Sequence, residues 1–266
     1  MCRSNRIKSE LSQDRVVLGC MVAEMRSPVV GMILESAGLD FLIIDMEHGS
    51  FNYETASDII VACRGLRIVP FVRVPGIDRE PFQKLLDAGA MGLLVPRIET
   101  PEEVALAADL IRYAPAGSRG LSLRRAHSGF TRADPTQFTA EANRNVMLMV
   151  QIETRRGVEN LDAILTVQGI DVLFVGPSDL AHSYGAEAAT QVEGAIRRVM
   201  QAGRSKGIAT GIHHSNAQYV AQLIRGGMRF ISVNTEVGAL VSSLSETAAA
   251  IRSGTQGGPE HAGDRR

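Results

Sequence analysis

Residues 37–45 read AGLDFLIID. Gly38 is followed by a short step, then by an apolar run that ends on an acid. The same shape returns in AGAMGLLVP (88–96), QGIDVLFVGP (168–177) and RGGMRFISVN (225–234). Glycine suits the position just past a helix C-terminus, where the backbone turns left-handed. A continuous apolar run of four to six residues suits a parallel strand buried on both faces. Runs without the leading glycine are VVLGCMV (16–22), RIVPFVRV (67–74), VMLMVQIE (146–153) and GIATGI (207–212). Together these predict eight strands, β1 to β8 in chain order. Helical spacing of apolar residues fills the gaps at 27–38, 52–65, 78–89, 100–114, 155–167, 191–205, 216–226 and 237–251. The helix at TPEEV (100–104) opens with a Thr cap, Pro in the first turn and paired acids. Alternating strands and helices argue for an α/β fold, and eight such units fit a (β/α)8 TIM barrel. A doubly wound open sheet is less apt, because no G-x-G-x-x-G follows the first strand.

Two segments break the rhythm. Residues 115–145 form a long β4–β5 excursion with room for a loop and an extra helix. The tail SGTQGGPEHAGDRR (253–266) is Gly-rich and polar and is expected to be disordered, leaving one barrel domain over 1–252. With 266 residues, 45% hydrophobic and 21% charged, the chain can bury a large core without a disulfide or structural metal. Cys2, Cys20 and Cys63 are far apart with no CxxC spacing, so neither a zinc site nor a disulfide scaffold is indicated. A net charge of −1 gives no nucleic-acid footprint. No apolar run approaches a membrane span, and the polar start MCRSNRIKSE lacks a signal-peptide core, so a cytoplasmic location is expected.

In such a barrel the residues just past the strand C-termini face one mouth, which carries the active site. After β2 come Asp45, Glu47 and His48, and β3 ends on Arg73. Gln151 and Glu153 end β5, and Ser178 and Asp179 follow β6. His213 and His214 follow β7, and Asn234 and Glu236 follow β8. Singly, each has an ordinary structural reading: Asp45 as a helix cap, Arg73 as an ion-pair partner, Glu153 and Asp179 as helix-start acids, His48 as a structural histidine. Convergence favours function, because charges of both signs at one mouth are costly without a ligand. Glu153 and Asp179, with Gln151 nearby, suit a hard cation such as Mg²⁺, Mn²⁺ or Co²⁺. Arg73 suits a carboxylate or oxyanion, and His48 suits a base near neutral pH. Together they describe enolate formation beside a carboxylate. A Schiff-base mechanism is disfavoured, since Lys8, Lys84 and Lys206 all lie away from strand ends at the mouth.

The segments FLIIDMEHGSF, VRVPGIDREPFQKLLDAGAMGLLVPRIETPEE, YAPAGSRGLS, VQIETRRGVENLDAI and GIDVLFVGPSDLA resemble the HpcH/HpaI family over about residues 15–250. These are metal-dependent, pyruvate-type class II aldolases with the phosphoenolpyruvate/pyruvate barrel. The resemblance implies that Glu153 and Asp179 hold the divalent cation and that Arg73 binds the 2-oxo acid. It implies that His48 is the base, paired with Asp87. Asp45 and Glu47 would support cation-bound water and His48, and the Ser178 backbone N–H would meet the substrate carboxylate. It also implies a homo-oligomer, typically a hexamer in which a C-terminal helix packs on a neighbour.

HHSN after β7 and NTEVG after β8 depart from the commoner family patterns, and Arg124, Arg125 and His127 lie in the excursion. These bear on the second substrate rather than on the enolate chemistry. The leading expectation is an aldolase that cleaves a 4-hydroxy-2-oxo acid to pyruvate and an aldehyde. The alternative is a carbon–carbon-forming synthase on the same site, using oxaloacetate or a related 2-oxo acid, such as a siderophore-pathway citrate synthase. A barrel retained only for binding fits poorly with an intact His, Arg, Glu and Asp set.

Overall fold

The computed structural model describes residues 3–255. Eight parallel strands close a barrel in chain order: β1 (Val17–Val22), β2 (Phe41–Asp45), β3 (Val69–Arg73), β4 (Gly92–Val95), β5 (Met147–Ile152), β6 (Val172–Val175), β7 (Ala209–His213) and β8 (Phe230–Thr235). The ring closes through β8 against β1, with Val17 beside Phe230. The leading glycines behave as the repeated motif requires. Gly38, Gly89, Gly169 and Gly227 all have φ between 83° and 111°, which carries the chain from helix into strand.

Twelve helices lie among the described residues. They are α1 (Arg6–Ser12), α2 (Val30–Ser36), α3 (Tyr53–Ala62), α4 (Arg79–Ala88), α5 (Pro101–Ile111), α6 (Pro135–Asn145), α7 (Arg155–Glu159), α8 (Leu161–Ile164), α9 (Pro177–Tyr184), α10 (Ala188–Lys206), α11 (Ala217–Arg225) and α12 (Glu236–Thr255). The start of α5 is built as its sequence demands: the Glu103 N–H donates to Thr100 Oγ1, and the Thr100 N–H donates to the Glu103 carboxylate. The excursion holds a short 3₁₀ turn and α6, matching the expected loop plus helix.

Several expectations are corrected. The polar N-terminus forms α1, whose Ile7 is fully buried against the barrel interior and plugs the pole opposite the mouth. The single helix expected over 155–167 is two short ones meeting at Asn160, whose side chain donates to the Glu99 carbonyl. Residues 177–184, outside the expected helix ranges, form α9, because Pro177 at its first position is pre-set for helix. Residues 253–255 continue α12, whereas the disorder expected beyond them falls outside the described residues.

Alternation along each strand divides the barrel interior from the layer under the helices. Phe41 stacks on Phe230 at 4.1 Å, with Phe71 and Phe174 edge-on to Phe230 at 5.8 and 6.0 Å. This aromatic plug needs an empty site on β1: a Cβ on Gly19 would lie 2.3 Å from the Phe41 ring. Two residues further along their strands, Asp45 follows Ile43, Arg73 follows Phe71 and Gln151 follows Met149. These polar side chains therefore point the same way as the plug, one tier nearer the mouth.

Candidate active site

The corner after β2 is a close backbone approach. A Cβ on Gly49 would lie 2.3 Å from the Asp45 carbonyl and 2.7 Å from the Ala23 carbonyl, so only glycine lets the chain turn there. Asp45 Oδ1 accepts the backbone N–H groups of Glu47 (3.1 Å) and His48 (3.3 Å), which fixes the corner. Asp45 and Arg73 are register partners on β2 and β3. They form a forked pair, Nε to Oδ1 at 2.8 Å and Nη2 to Oδ2 at 2.6 Å. Arg73 Nη1 lies 3.1 Å from Glu47 Oε2, an ion contact without hydrogen-bond alignment.

Charge at this mouth is unbalanced. Burial alone would push the Asp45 carboxyl up, but hydrogen bonds and charge from Arg73, with the His48 and Glu47 N–H groups, hold it below the usual carboxylate range. Burial works against a charge on Arg73 too, yet Asp45, Glu47 and Glu153 outweigh it. Glu47 is raised, first by burial and then by Asp45 and Asp179, in spite of Arg73 and His48. Glu153 is 1% exposed. Its carboxyl is pushed up to about 7, mainly by burial, with Glu47 and Asp179 adding repulsion against the opposing Arg97 N–H and Arg73. Glu153 Oε1 accepts the Arg97 N–H at 2.8 Å, and Oε2 accepts from Gln151 Nε2.

Asp179 sits in the first turn of α9, whose preceding residue Gly176 offers no side-chain cap. The backbone N–H groups of Ser178 and Asp179 are therefore among the uncompensated donors of a helix start. Gly176 is itself part of the cradle: a Cβ there would lie 2.4 Å from Glu153 Oε2 and 2.8 Å from Gln151 Nε2.

These residues fit a divalent cation. Four carboxylates (Asp45, Glu47, Glu153, Asp179) face one guanidinium, and Arg73 is already shared between Asp45 and Glu47. Glu153 and Asp179 repel each other, and among the described residues neither forms an ion pair. The buried Gln151 Oε1 also lacks a hydrogen-bond partner. Among the described residues no three His, Cys, Asp or Glu side chains form a ready cage. Glu153 and Asp179 could hold such a cation, with water or substrate completing its shell.

His48 projects from the corner with its side chain 64% exposed and Nε2 3.9 Å from Glu47 Oε2. The structure does not bring Asp87 to it. Asp87, near the C-terminal end of α4, accepts from Arg119 at 2.8 Å and from Gln83 at 2.9 Å, with His127 Nε2 at 3.9 Å. Of the residues left open, Arg124 and Arg125 are exposed and His127 is half-buried beside Asp87. Glu236 is structural, accepting the N–H groups of Ala23, Glu24 and Met25. His214 accepts the Asn216 N–H and leans on Tyr219. The roles of Gly176 and the Arg97 N–H left no mark in the sequence, since any glycine or backbone amide would read the same.

The family model described as HpcH/HpaI aldolase/citrate lyase matches residues 21–243. The chain belongs to this family. A 5-keto-4-deoxy-D-glucarate aldolase of Escherichia coli (strain K12) is 34% identical over 248 residues, covering 92% of this chain and 95% of that one. The HpcH/HpaI aldolase from Desulfitobacterium hafniense superposes with a TM-score of 0.88 at 27% identity, over 92% of this chain and 96% of the other. The citrate synthase SbnG superposes with a TM-score of 0.84 at 26% identity, over 94% and 98%. The protein is thus a lyase of the aldolase type on a TIM barrel. No helix among the described residues is long and apolar enough to cross a membrane.

Proposed function

We propose that the chain is a divalent-cation-dependent aldolase that cleaves a 4-hydroxy-2-oxo acid to pyruvate and an aldehyde. The observation that carries this reading is the surplus of carboxylates, Glu47, Glu153 and Asp179, around a single committed guanidinium. Mg²⁺, Mn²⁺ or Co²⁺ held by Glu153 and Asp179 would supply Lewis-acid polarisation of the 2-oxo group. Arg73 grips the carboxylate and oxo oxygen with the N–H groups that Asp45 and Glu47 leave free. The N–H groups at the start of α9, Ser178 among them, meet the carboxylate, and Gln151 orients Glu153. His48 takes the proton of the 4-hydroxyl; the C3–C4 bond breaks, its electron pair passes into the enolate, and the aldehyde leaves. Protonation of the enolate at C3 gives pyruvate.

The substrate class follows from the curated relative. In 5-keto-4-deoxy-D-glucarate, retro-aldol cleavage beside the methylene gives pyruvate and a three-carbon aldehyde bearing a hydroxyl and a carboxylate. We read this chain's substrate as such a keto-deoxy sugar diacid. The test incubates the enzyme, chelated and then supplied with Mg²⁺, Mn²⁺ or Co²⁺, with 5-keto-4-deoxy-D-glucarate. Pyruvate and aldehyde in equal amounts support the reading, whereas no cleavage with any cation counts against this substrate. The likeness to SbnG supports a second reading, a synthase joining oxaloacetate or a related 2-oxo acid to a partner on the same site.

The dyad is read as forming between copies. Asp87 is held by Arg119 at the end of α4 that faces away from the mouth, so His48 would meet it only from a neighbouring chain. A homo-oligomer, with a hexamer as the expected state, also accounts for α12, which exposes Val237, Leu240, Val241, Leu244 and Ile251 at helical spacing. Light scattering on purified protein tests it, and a monomer at micromolar concentration would argue against the shared dyad.

A further inference from the structure

We propose that His213 selects the aldehyde half of the substrate, donating a hydrogen bond from Nε2 to a hydroxyl carried next to the aldehyde carbon. This rests on the aldolase reading above. Neither the family match nor the relatives' names assign this residue.

Position comes first. His213 ends β7 two residues beyond Gly211. Gly211 faces the barrel interior, since a Cβ on it would meet the Phe174 ring at 3.0 Å. By alternation His213 shares the inward-facing tier of Asp45, Arg73 and Gln151. In the closed ring β7 lies opposite β3. The ring of His213 nonetheless feels the charges of both Arg73 and Asp45, as two inward-turned side chains across a barrel would. Arg73 takes the 2-oxo-acid end and His48 the 4-hydroxyl, and a substrate that spans the mouth from there brings the carbon beyond C4 to the β7 side, opposite Arg73.

The second observation concerns the ring's proton. His213 and Ser232 are register partners on β7 and β8, and Ser232 Oγ lies 2.9 Å from His213 Nδ1. Ser232 is fully buried, and its hydroxyl has no other hydrogen-bond partner among the described residues. A buried hydroxyl must place its proton somewhere. Donation to Nδ1 satisfies it and leaves the imidazole proton on Nε2. Nε2 has no hydrogen-bond partner among the described residues. Burial first, then Arg73 and His214, pushes the His213 ring down to about 4, so at neutral pH it is an uncharged donor. An apolar side chain would close this wall of the mouth at lower cost. A fixed neutral N–H facing the substrate suits a hydroxyl oxygen.

The experiment compares pyruvate condensation with glycolaldehyde and with propionaldehyde, two acceptors of equal size that differ in a terminal hydroxyl or methyl. A site built around a hydroxyl rejects the analogue lacking it far more strongly than one missing methylene is rejected. Wild type is expected to favour glycolaldehyde by about 10-fold or more in kcat/KM. His213→Leu should lower that ratio by about 10-fold, while His213→Gln, whose amide N–H falls near the Nε2 position, should keep most of it. If the Leu variant fails to fold, His213→Asn replaces it, because its amide reaches only the Nδ1 position and should lose the preference. No preference in wild type, or a ratio unchanged in the Leu or Asn variant, overturns the proposal. Wild type is also assayed for exchange of the pyruvate methyl protons with D₂O. Exchange without acceptor preference defeats this inference alone, and no exchange with any cation defeats the aldolase reading and the inference with it.

Discussion

Arg73→Lys tests the anion grip at the mouth. A guanidinium carries five N–H groups. In Arg73 two are hydrogen-bonded to Asp45, and Nη1 lies against Glu47 in an ion contact. Three remain for the substrate carboxylate and oxo oxygen. A lysine ammonium has three donors, which the Asp45 and Glu47 carboxylates would take up. The variant keeps the charge but offers the developing oxyanion nothing. Loss of one such donor costs about 10²- to 10³-fold in rate. We therefore expect kcat to fall by at least about 10²-fold. The buried Asp45 would also lose its forked partner, at a stability cost of about 1–3 kcal/mol. The assay couples pyruvate release to NADH oxidation by lactate dehydrogenase, with thermal unfolding and bound cation measured on the same preparation. A folded, cation-loaded variant that turns over within a few-fold of wild type would refute the reasoning.

His48→Ala should lower cleavage by about 10²- to 10⁴-fold, the range for general acid–base catalysis, and turnover within a few-fold of wild type would make His48 structural. Mixing unfolded His48→Ala and Asp87→Asn chains and refolding them together should restore part of the activity if the dyad spans two copies; no recovery in verified mixed oligomers would place Asp87 outside it. Gly176→Ala forces a Cβ to within 2.4 Å of Glu153 Oε2, so cation affinity measured by calorimetry should drop sharply while the fold survives, and unchanged affinity would show that the carboxylate can move. His127 has its ring pushed down to about 4, by burial first and then Arg119, so the unfolded chain binds the extra proton between about pH 6.5 and 4. Thermal stability should therefore fall as pH drops through that window, and His127→Gln should show a shallower loss; an equal slope in both would clear His127 of the effect.

How legible the fold was depends on what each segment buries. The strands could be read because a parallel barrel buries both faces, as in Phe41–Asp45 and Met147–Ile152, where every residue is buried. The glycines ahead of four strands could be read because only a left-handed turn joins helix to strand so tightly. The helix α9 was hidden because Gly-Pro-Ser-Asp is also good loop sequence, and α1 because one buried residue, Ile7, anchors a short polar helix. The mouth residues were legible from strand order alone, since Asp45 and Arg73 end their strands and Gln151 and Glu153 flank the last residue of β5. Asp87 was not, for its contacts with Arg119 and His127 arise from the excursion's path along α4, which no local pattern reports. The inward aim of His213 was readable in principle from its alternation with Gly211, but its Ser232 partner lies on another strand.

Exchange of the pyruvate methyl protons in D₂O, followed by proton NMR, tests enolate formation without requiring the right aldehyde. The account predicts exchange with Mg²⁺, Mn²⁺ or Co²⁺, loss of exchange after exhaustive chelation, and no recovery by added cation in Glu153→Gln. Undiminished exchange in chelated enzyme with no detectable bound cation, or in Glu153→Gln, would contradict it.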